Sequence, residues 1–376
     1  MNFELSEEQR LVSDTFMRVC EDRVKPVAAA IDEAGEFPRE LFKELGSLGL
    51  FGLRYPESLG GSGLGFIACC LAISEIARGS LSLAAAGAMQ SLMGTDFLYA
   101  FGNEAIHERL LKPAIQGEKI GTICITEPGA GSDLSSIATS AKKVDGGYRL
   151  NGQKTWITGA PVADLFTVFA RAGEGNRLTV FLVERDFPGL MIGRAIEKMG
   201  CCALPTSEIF FEDCFVPDDH RLGEEGEGES SLRRILGEIR TITGALAIGV
   251  ARGALEEAVQ YAAERKQFGK FINRFQAIQL KLAEMGTDLE AATHLVHYAA
   301  WLKDNDKSHH REAAMAKLFA SERSTEICDK ATRIFGSYGY AREFAAQRHF
   351  RDIRFTLYGG GTSEILKLII ARDMTT

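Results

Sequence analysis

Ile123-Cys124-Ile125-Thr126-Glu127-Pro128-Gly129-Ala130-Gly131-Ser132-Asp133 is where the chain changes character. It starts as a β-branched run and breaks, at a proline, into small residues, as a strand does when it ends in a loop lying close against a neighbour. Upstream, apolar residues recur at three-and-four spacing in 11–24, 41–53, 67–76 and 92–101, the signature of amphipathic helices. Ser6-x-x-Gln9 supplies a capping box for the first of them. Gly60-Gly61-Ser62-Gly63-Leu64-Gly65 lacks the Lys-Ser/Thr ending of a phosphate loop and the spacing of a dinucleotide fingerprint, so it reads as a helix connection. Downstream, short β-branched and aromatic runs at 122–126, 148–150, 154–158, 165–170, 178–183 and 208–215 alternate with turn signals such as Asp145-Gly146-Gly147 and Asn151-Gly152. That pattern predicts hairpins in a compact antiparallel sheet. After the acidic, glycine-rich joint 223–229, helical periodicity returns at 232–264, 274–303, 311–336 and 363–374. The expected fold is α+β in three units: an N-terminal all-α domain over 1–118, a middle antiparallel β domain over 119–225 and a C-terminal α-helical bundle of four helices over 226–376.

Composition narrows the function classes. The chain has 376 residues, 45% apolar and 25% charged, enough to bury a large core. A net charge of -8 with dispersed Lys and Arg leaves no basic footprint for nucleic acid. The eight cysteines show no C-x-x-C and no zinc spacing, and read as reduced, half-buried small residues. His294-x-x-His297 has metal-compatible spacing but no evident third ligand, so no metal site is expected. The polar start of the chain does not read as a signal peptide, and no apolar run approaches the roughly eighteen residues of a membrane span. A soluble, cytoplasmic protein is expected.

Three constellations carry chemistry. In the opening stretch, backbone N–H groups and the Thr126 and Ser132 hydroxyls are available beside small residues. About thirty residues on, Trp156-Ile157-Thr158-Gly159 ends another run with an indole wall and a second hydroxyl. Two hydroxyl-bearing strand ends and an aromatic plane suit an isoalloxazine ring, which needs hydrogen bonds along one edge and a stacked face. Trp156 alone would read as a core aromatic; its pairing with Thr126 argues otherwise. Third, Glu264-Arg265-Lys266-Gln267-Phe268-Gly269-Lys270 and Arg274-Phe275-Gln276 place a guanidinium, a ring and an amide where a pyrophosphate and an adenine fit, or simply form a solvated helix end.

Together these motifs resemble the acyl-CoA dehydrogenase family of flavoproteins, essentially end to end. Thr126 to Asp133, Trp156-Ile157-Thr158, Arg265-Lys266-x-Phe268-Gly269 and Gly361-Thr362-Ser363-Glu364-Ile365 fall in family order and spacing. The resemblance implies FAD, a homotetramer built on the C-terminal helices, an acyl-CoA or carrier-bound acyl thioester as substrate, and an electron-transfer flavoprotein as electron acceptor. It assigns Ile125, Thr126, Trp156 and Thr158 to the flavin ring. Arg265, Phe268 and Gln276 reach the cofactor across a subunit interface, and Thr362 and Glu364 approach it from the last helix. Ser132 and Arg240 face CoA. Arg333 stands where members often carry Gln, and keeps a polar reach to the cofactor. By spacing, Ala85, Ala86, Met89 and Met93 line an acyl pocket, with Gln90, Ser91 and Asp96 as polar neighbours.

The family's base is missing. Most members place a Glu directly before the Gly-Thr of the last motif; here that position is Gly360, in Tyr358-Gly359-Gly360-Gly361-Thr362. Others place it before the arginine matched by Arg240, where this chain has Ile239, with Glu238 one step earlier. One helical step turns a side chain by about 100°, so Glu238 is the best remaining base candidate only if the helix is shifted. Two vacant carboxylate positions imply a dehydrogenase of a non-standard substrate. A flavin-dependent monooxygenase or oxidase of the same fold, or an enoyl-CoA reductase, is the alternative.

Overall fold

The computed structural model describes residues 4–375. Its first part is helical: α1 (Glu7–Val19), α2 (Lys25–Ala34), α3 (Arg39–Ser47), α4 (Gly65–Gly79), α5 (Leu81–Ala88), α6 (Asp96–Phe101), and the short α7 (Glu104–Ile106) and α8 (Lys112–Ile115). The capping box forms as read: Gln9 N–H donates to Ser6 Oγ at 3.2 Å and Ser6 N–H to Gln9 Oε1 at 3.0 Å. Helix α4 is mostly small and apolar and is buried from Phe66 to Gly79, and its two charged residues, Glu75 and Arg78, pair with each other. Its N-terminus is capped from far along the chain, where Asp304 accepts the N–H groups of Phe66 and Ile67 at 2.6 and 2.8 Å, an anion at the positive end of the helix dipole.

The middle part is an eight-stranded sheet: β1 (Gly121–Cys124), β2 (Ser140–Val144), β3 (Gly147–Thr158), β4 (Leu165–Ala172), β5 (Arg177–Glu184), β6 (Leu190–Ala195), β7 (Thr206–Pro217) and β8 (Arg221–Leu222). The order is β6-β7-β3-β2-β4-β5-β8, with β1 also on β4. Two features differ from the sequence reading. The β1/β4 and β2/β4 pairings are parallel, because β1 enters directly from the helical part and β2 returns to β4 only through β3. Asn151-Gly152 is no hairpin turn but a bulge inside one long strand, β3, with a register shift between Leu150 and Gly152. Gly152 has φ +149° there, and a Cβ would lie 2.7 Å from Thr139 Oγ1.

The last part holds α9 (Gly228–Glu264), α10 (Gln276–Asp304), α11 (His310–Phe335), α12 (Ala345–Asp352), α13 (Phe355–Tyr358) and α14 (Ser363–Thr375). Helix α9 is the axis of the molecule, packed on α4, α10 and α11. A hairpin of β9 (Lys266–Gln267) and β10 (Lys270–Phe271) turns at Phe268-Gly269, both with positive φ, the geometry of a tight two-residue turn. Among the described residues, no helix is long and apolar enough to cross a membrane.

Candidate active site

Two strand ends form a shelf. Thr126 C=O accepts from Thr155 N–H at 2.9 Å, joining the loop after β1 to β3. Buried Lys154 donates to Ile125 O at 3.0 Å and to Glu127 Oε1 at 2.7 Å, while Glu127 also accepts the N–H groups of Ala138 and Thr139. Burial alone would raise the Glu127 carboxyl, but Lys154 and these N–H donors hold it below the usual carboxylate range. This buried ion pair locks the quoted loop in place, and the sequence reading missed it: Glu127 lay inside the motif, but nothing local marked Lys154 as its partner. On the shelf, Ile125, Thr126 and Thr158 are half-buried, and neither threonine hydroxyl is hydrogen-bonded among the described residues. Trp156 projects from β3 with φ +57° and 56% of its surface exposed. A strained backbone holding an uncovered indole beside two free hydroxyls fits a flat, polar-edged ligand. Ser132 is exposed on the adjoining loop, and Gly129, Gly131 and Gly159 have open space where a Cβ would stand.

The second group lies elsewhere on the single chain. Phe268 is 94% exposed at the hairpin tip, with Arg265 and Gln276 exposed beside it. Arg265 rests over Tyr338, and exposed Arg333 pairs with Asp329 at 2.7 Å. The hairpin packs against α9, not on the shelf. Thr362 is half-buried and Glu364 exposed at the start of α14.

Met89 and Met93 open and close a π-helical turn at the end of α5, both half-buried, next to buried Ala85 and Ala86. Gln90 anchors that turn to the first strand: its amide donates to Ala114 O and Lys119 O and accepts from Gly121 N–H. A π turn of this kind commonly marks a functional site.

Glu238 has other surroundings. It is wholly buried, on the side of α9 turned toward the helical first part, with Oε2 2.6 Å from Arg54 and Oε1 3.3 Å from Lys303. Arg54 also meets Asp96 at 3.2 Å, and Asp96 pairs with Arg234. The two acids share three cations in a closed cluster, so neither faces a pocket as a free base. Gly360 and Ile239, in contrast, lie together. Gly360 has φ +72°, and a Cβ on it would lie 3.2 Å from Thr243 Oγ1 and 3.6 Å from Ile239 Cγ2. Beneath them, buried Lys317 donates to Gly361 O at 2.7 Å and Leu357 O at 3.2 Å, fixing the glycine loop. Burial pushes the Lys317 ammonium down to about 8, with Glu322 opposing and Arg240 adding to the shift. Toward the start of α9, a cleft of ≈ 570 Å³ is lined by Arg177, Arg233, Arg234 and His310, together with Glu227 and Glu229. His294 pairs with Glu290, and no cluster of metal-ligating side chains occurs among the described residues.

Three family models match in order: Acyl-CoA dehydrogenase N-terminal domain over residues 6–118, middle domain over 122–214 and C-terminal domain over 226–375. The chain belongs to the acyl-CoA dehydrogenase family. It is an oxidoreductase acting on a CoA thioester. Among curated relatives of this dehydrogenase, it is 66% identical to the benzylmalonyl-CoA dehydrogenase of Aromatoleum aromaticum, over the full length of both chains. It is 42% identical to the caffeyl-CoA reductase-Etf complex subunit CarC of Acetobacterium woodii, over 91% of each. Among solved structures, the butyryl-CoA dehydrogenase of Megasphaera elsdenii superposes with a TM-score of 0.97 at 35% identity, covering 100% of each chain.

Proposed function

We propose that this enzyme is a FAD-dependent dehydrogenase of an acyl-CoA bearing a carboxylate on Cα, an arylalkylmalonyl thioester, in which loss of CO2 takes the place of proton abstraction. The observation that carries it is the contact between Gly360 and Ile239: the two positions that supply a base in the family close on each other, and both are empty of one. Removing a Cα proton needs such a base. A malonyl thioester does not, because breaking its Cα–carboxyl bond leaves the electron pair on Cα. One CO2 and one hydride then depart for each Cα=Cβ bond formed, and no proton is taken. The 66% identity to a protein named for benzylmalonyl-CoA points the same way.

FAD, when bound, supplies the two-electron acceptor for the hydride leaving Cβ. Trp156 would stack on its ring, the Thr126 and Thr158 hydroxyls would donate along its edge, and Ile125 would pack against it. Arg265, Phe268 and Gln276 would serve the adenosine diphosphate end of a neighbouring subunit's FAD, with Arg333, Thr362 and Glu364 nearby; the nearly bare Phe268 supports a homotetramer that covers it. Ser132 and the arginine-lined cleft would hold CoA. Met89 and Met93, flexible and polarizable beside two alanines, would adapt to an aromatic acyl end.

The test is anaerobic titration of the purified yellow holoenzyme with benzylmalonyl-CoA and with 3-phenylpropanoyl-CoA, following flavin bleaching and CO2. Bleaching by the first alone, with one CO2 per flavin reduced, is expected. Bleaching by the second at a similar rate, or by the first without CO2, overturns the reading. Re-oxidation of the bleached enzyme by electron-transfer flavoprotein or by air then identifies the electron acceptor.

A further inference from the structure

Three consecutive residues of α9 face three different surroundings, as a turn of about 100° per residue requires. Glu238 enters the buried cluster with Arg54, and Ile239 meets Gly360. Arg240 turns to the α11 side. Only 8% of it is exposed, its Nε is buried without a partner, and its guanidinium makes no ion pair among the described residues. Burial works against its charge; burial is also the main cause that pushes Lys317 and His310 down, and the Arg240 charge adds to both shifts. Arg54 and Arg78, comparably buried, are each met by two or more carboxylates.

An unpaired buried cation costs stability, and removing it by well-packed apolar replacement is favourable in other proteins. A buried guanidinium with no carboxylate partner is a ready receptor for an anion that arrives with a ligand. Place decides which anion. Thr243, three residues on and thus on the same face of α9, is the nearest neighbour of a Cβ on Gly360, and Lys317 binds Gly361 directly. Arg240 therefore borders the vacant base position, whereas the cleft of Arg177, Arg233 and Arg234 lies toward the start of α9 and would be left for the CoA phosphates.

We infer that Arg240 is the receptor for the α-carboxylate of the substrate, selecting 2-carboxyacyl thioesters and orienting the Cα–carboxyl bond for cleavage. This rests on the functional reading above, and replaces the CoA contact that the family resemblance assigns to Arg240.

The holoenzyme and its Arg240→Met and Arg240→Lys variants are compared for KM with benzylmalonyl-CoA, for Kd of cinnamoyl-CoA, which has the same skeleton without the carboxylate, and for melting temperature without ligand. Arg240→Met should raise KM at least 50-fold, leave the cinnamoyl-CoA Kd within threefold, and melt higher than wild type. Arg240→Lys should recover part of the KM. Parallel weakening of cinnamoyl-CoA would mean that Arg240 serves CoA, and an unchanged KM would make it structural; either overturns the inference. A wild type that does not turn over benzylmalonyl-CoA sinks the functional reading instead. The thermal shift given by that ligand, in wild type against Arg240→Met, then decides the role of Arg240: equal shifts refute it.

Discussion

Placing a carboxylate at the empty position should exchange one chemistry for the other. Gly360→Glu carries two structural costs that Gly360→Ala shares. A side chain at φ +72° costs about 1–2 kcal/mol, and its Cβ, 3.2 Å from Thr243 Oγ1, presses on a hydroxyl already committed to Ile239 O at 2.7 Å. The alanine variant should thus lose roughly 2 kcal/mol of stability. The glutamate variant should be no worse, because a charge-assisted contact with Arg240 returns about 1.5–3 kcal/mol. A positioned base contributes on the order of 10²–10⁴ in rate, so Gly360→Glu should bleach its flavin with 3-phenylpropanoyl-CoA at least a hundredfold faster than Gly360→Ala. On benzylmalonyl-CoA it should fail. Two carboxylates about 4 Å apart at an effective dielectric constant of about 20 repel by about 4 kcal/mol, roughly three powers of ten. Anaerobic stopped-flow with both thioesters, after matching flavin content, measures both effects. A glutamate variant that keeps its flavin, gains nothing over alanine on the plain thioester and retains the wild-type rate on the carboxylated one would refute the reasoning.

Two further outcomes follow from buried charges. Glu238→Gln leaves Arg54 with Asp96 alone, removes the carboxylate that pairs with Lys303, and should cost about 3 kcal/mol in denaturant unfolding while kcat stays within threefold; a stable variant with kcat down a hundredfold would restore Glu238 as a base. Lys317, pushed down from 10.5 to about 8, gives up its proton in the folded state while the unfolded chain still holds one. Its buried charge therefore weighs fully on stability below pH 8, and that burden lifts as pH rises to 10.5, by about 3 kcal/mol. Lys317→Met should lack this rise, and parallel pH curves for the two proteins would contradict the assignment.

Much of the fold could be read before any coordinates, because its signals are local. The capping box at Ser6 and Gln9, the Asp145-Gly146 turn between β2 and β3, and the long periodic helices α9 to α11 depend on residues a few positions apart. The parallel partners of β4 could not be read, since alternation along a strand does not encode the direction of its neighbour. Asn151-Gly152 has the composition of a turn, yet the close approach of Thr139, not chain reversal, is what requires the glycine. At the site, the motif threonines, Trp156, Gly360 and Ile239 could be named from the sequence, and the structure supplies their juxtaposition: the Thr126 loop on β3, and Gly360 beside Ile239. The fate of Glu238 was not legible: helical spacing turned it away from Ile239, but only tertiary packing brings Arg54 and Lys303 to it. Lys317 gave no signal at all, because its partners are backbone carbonyls of a distant loop.

The remote cap on α4 bears on how the chain is born. A ribosome emits Gly79 long before Asp304, and at about 5–20 residues per second the intervening stretch takes roughly 10–45 s to appear. Throughout that interval a helix destined for complete burial has neither its carboxylate cap nor the helix α9 that will cover it. Such a segment calls for shelter by a chaperone, and a fragment ending after the middle sheet should precipitate rather than persist.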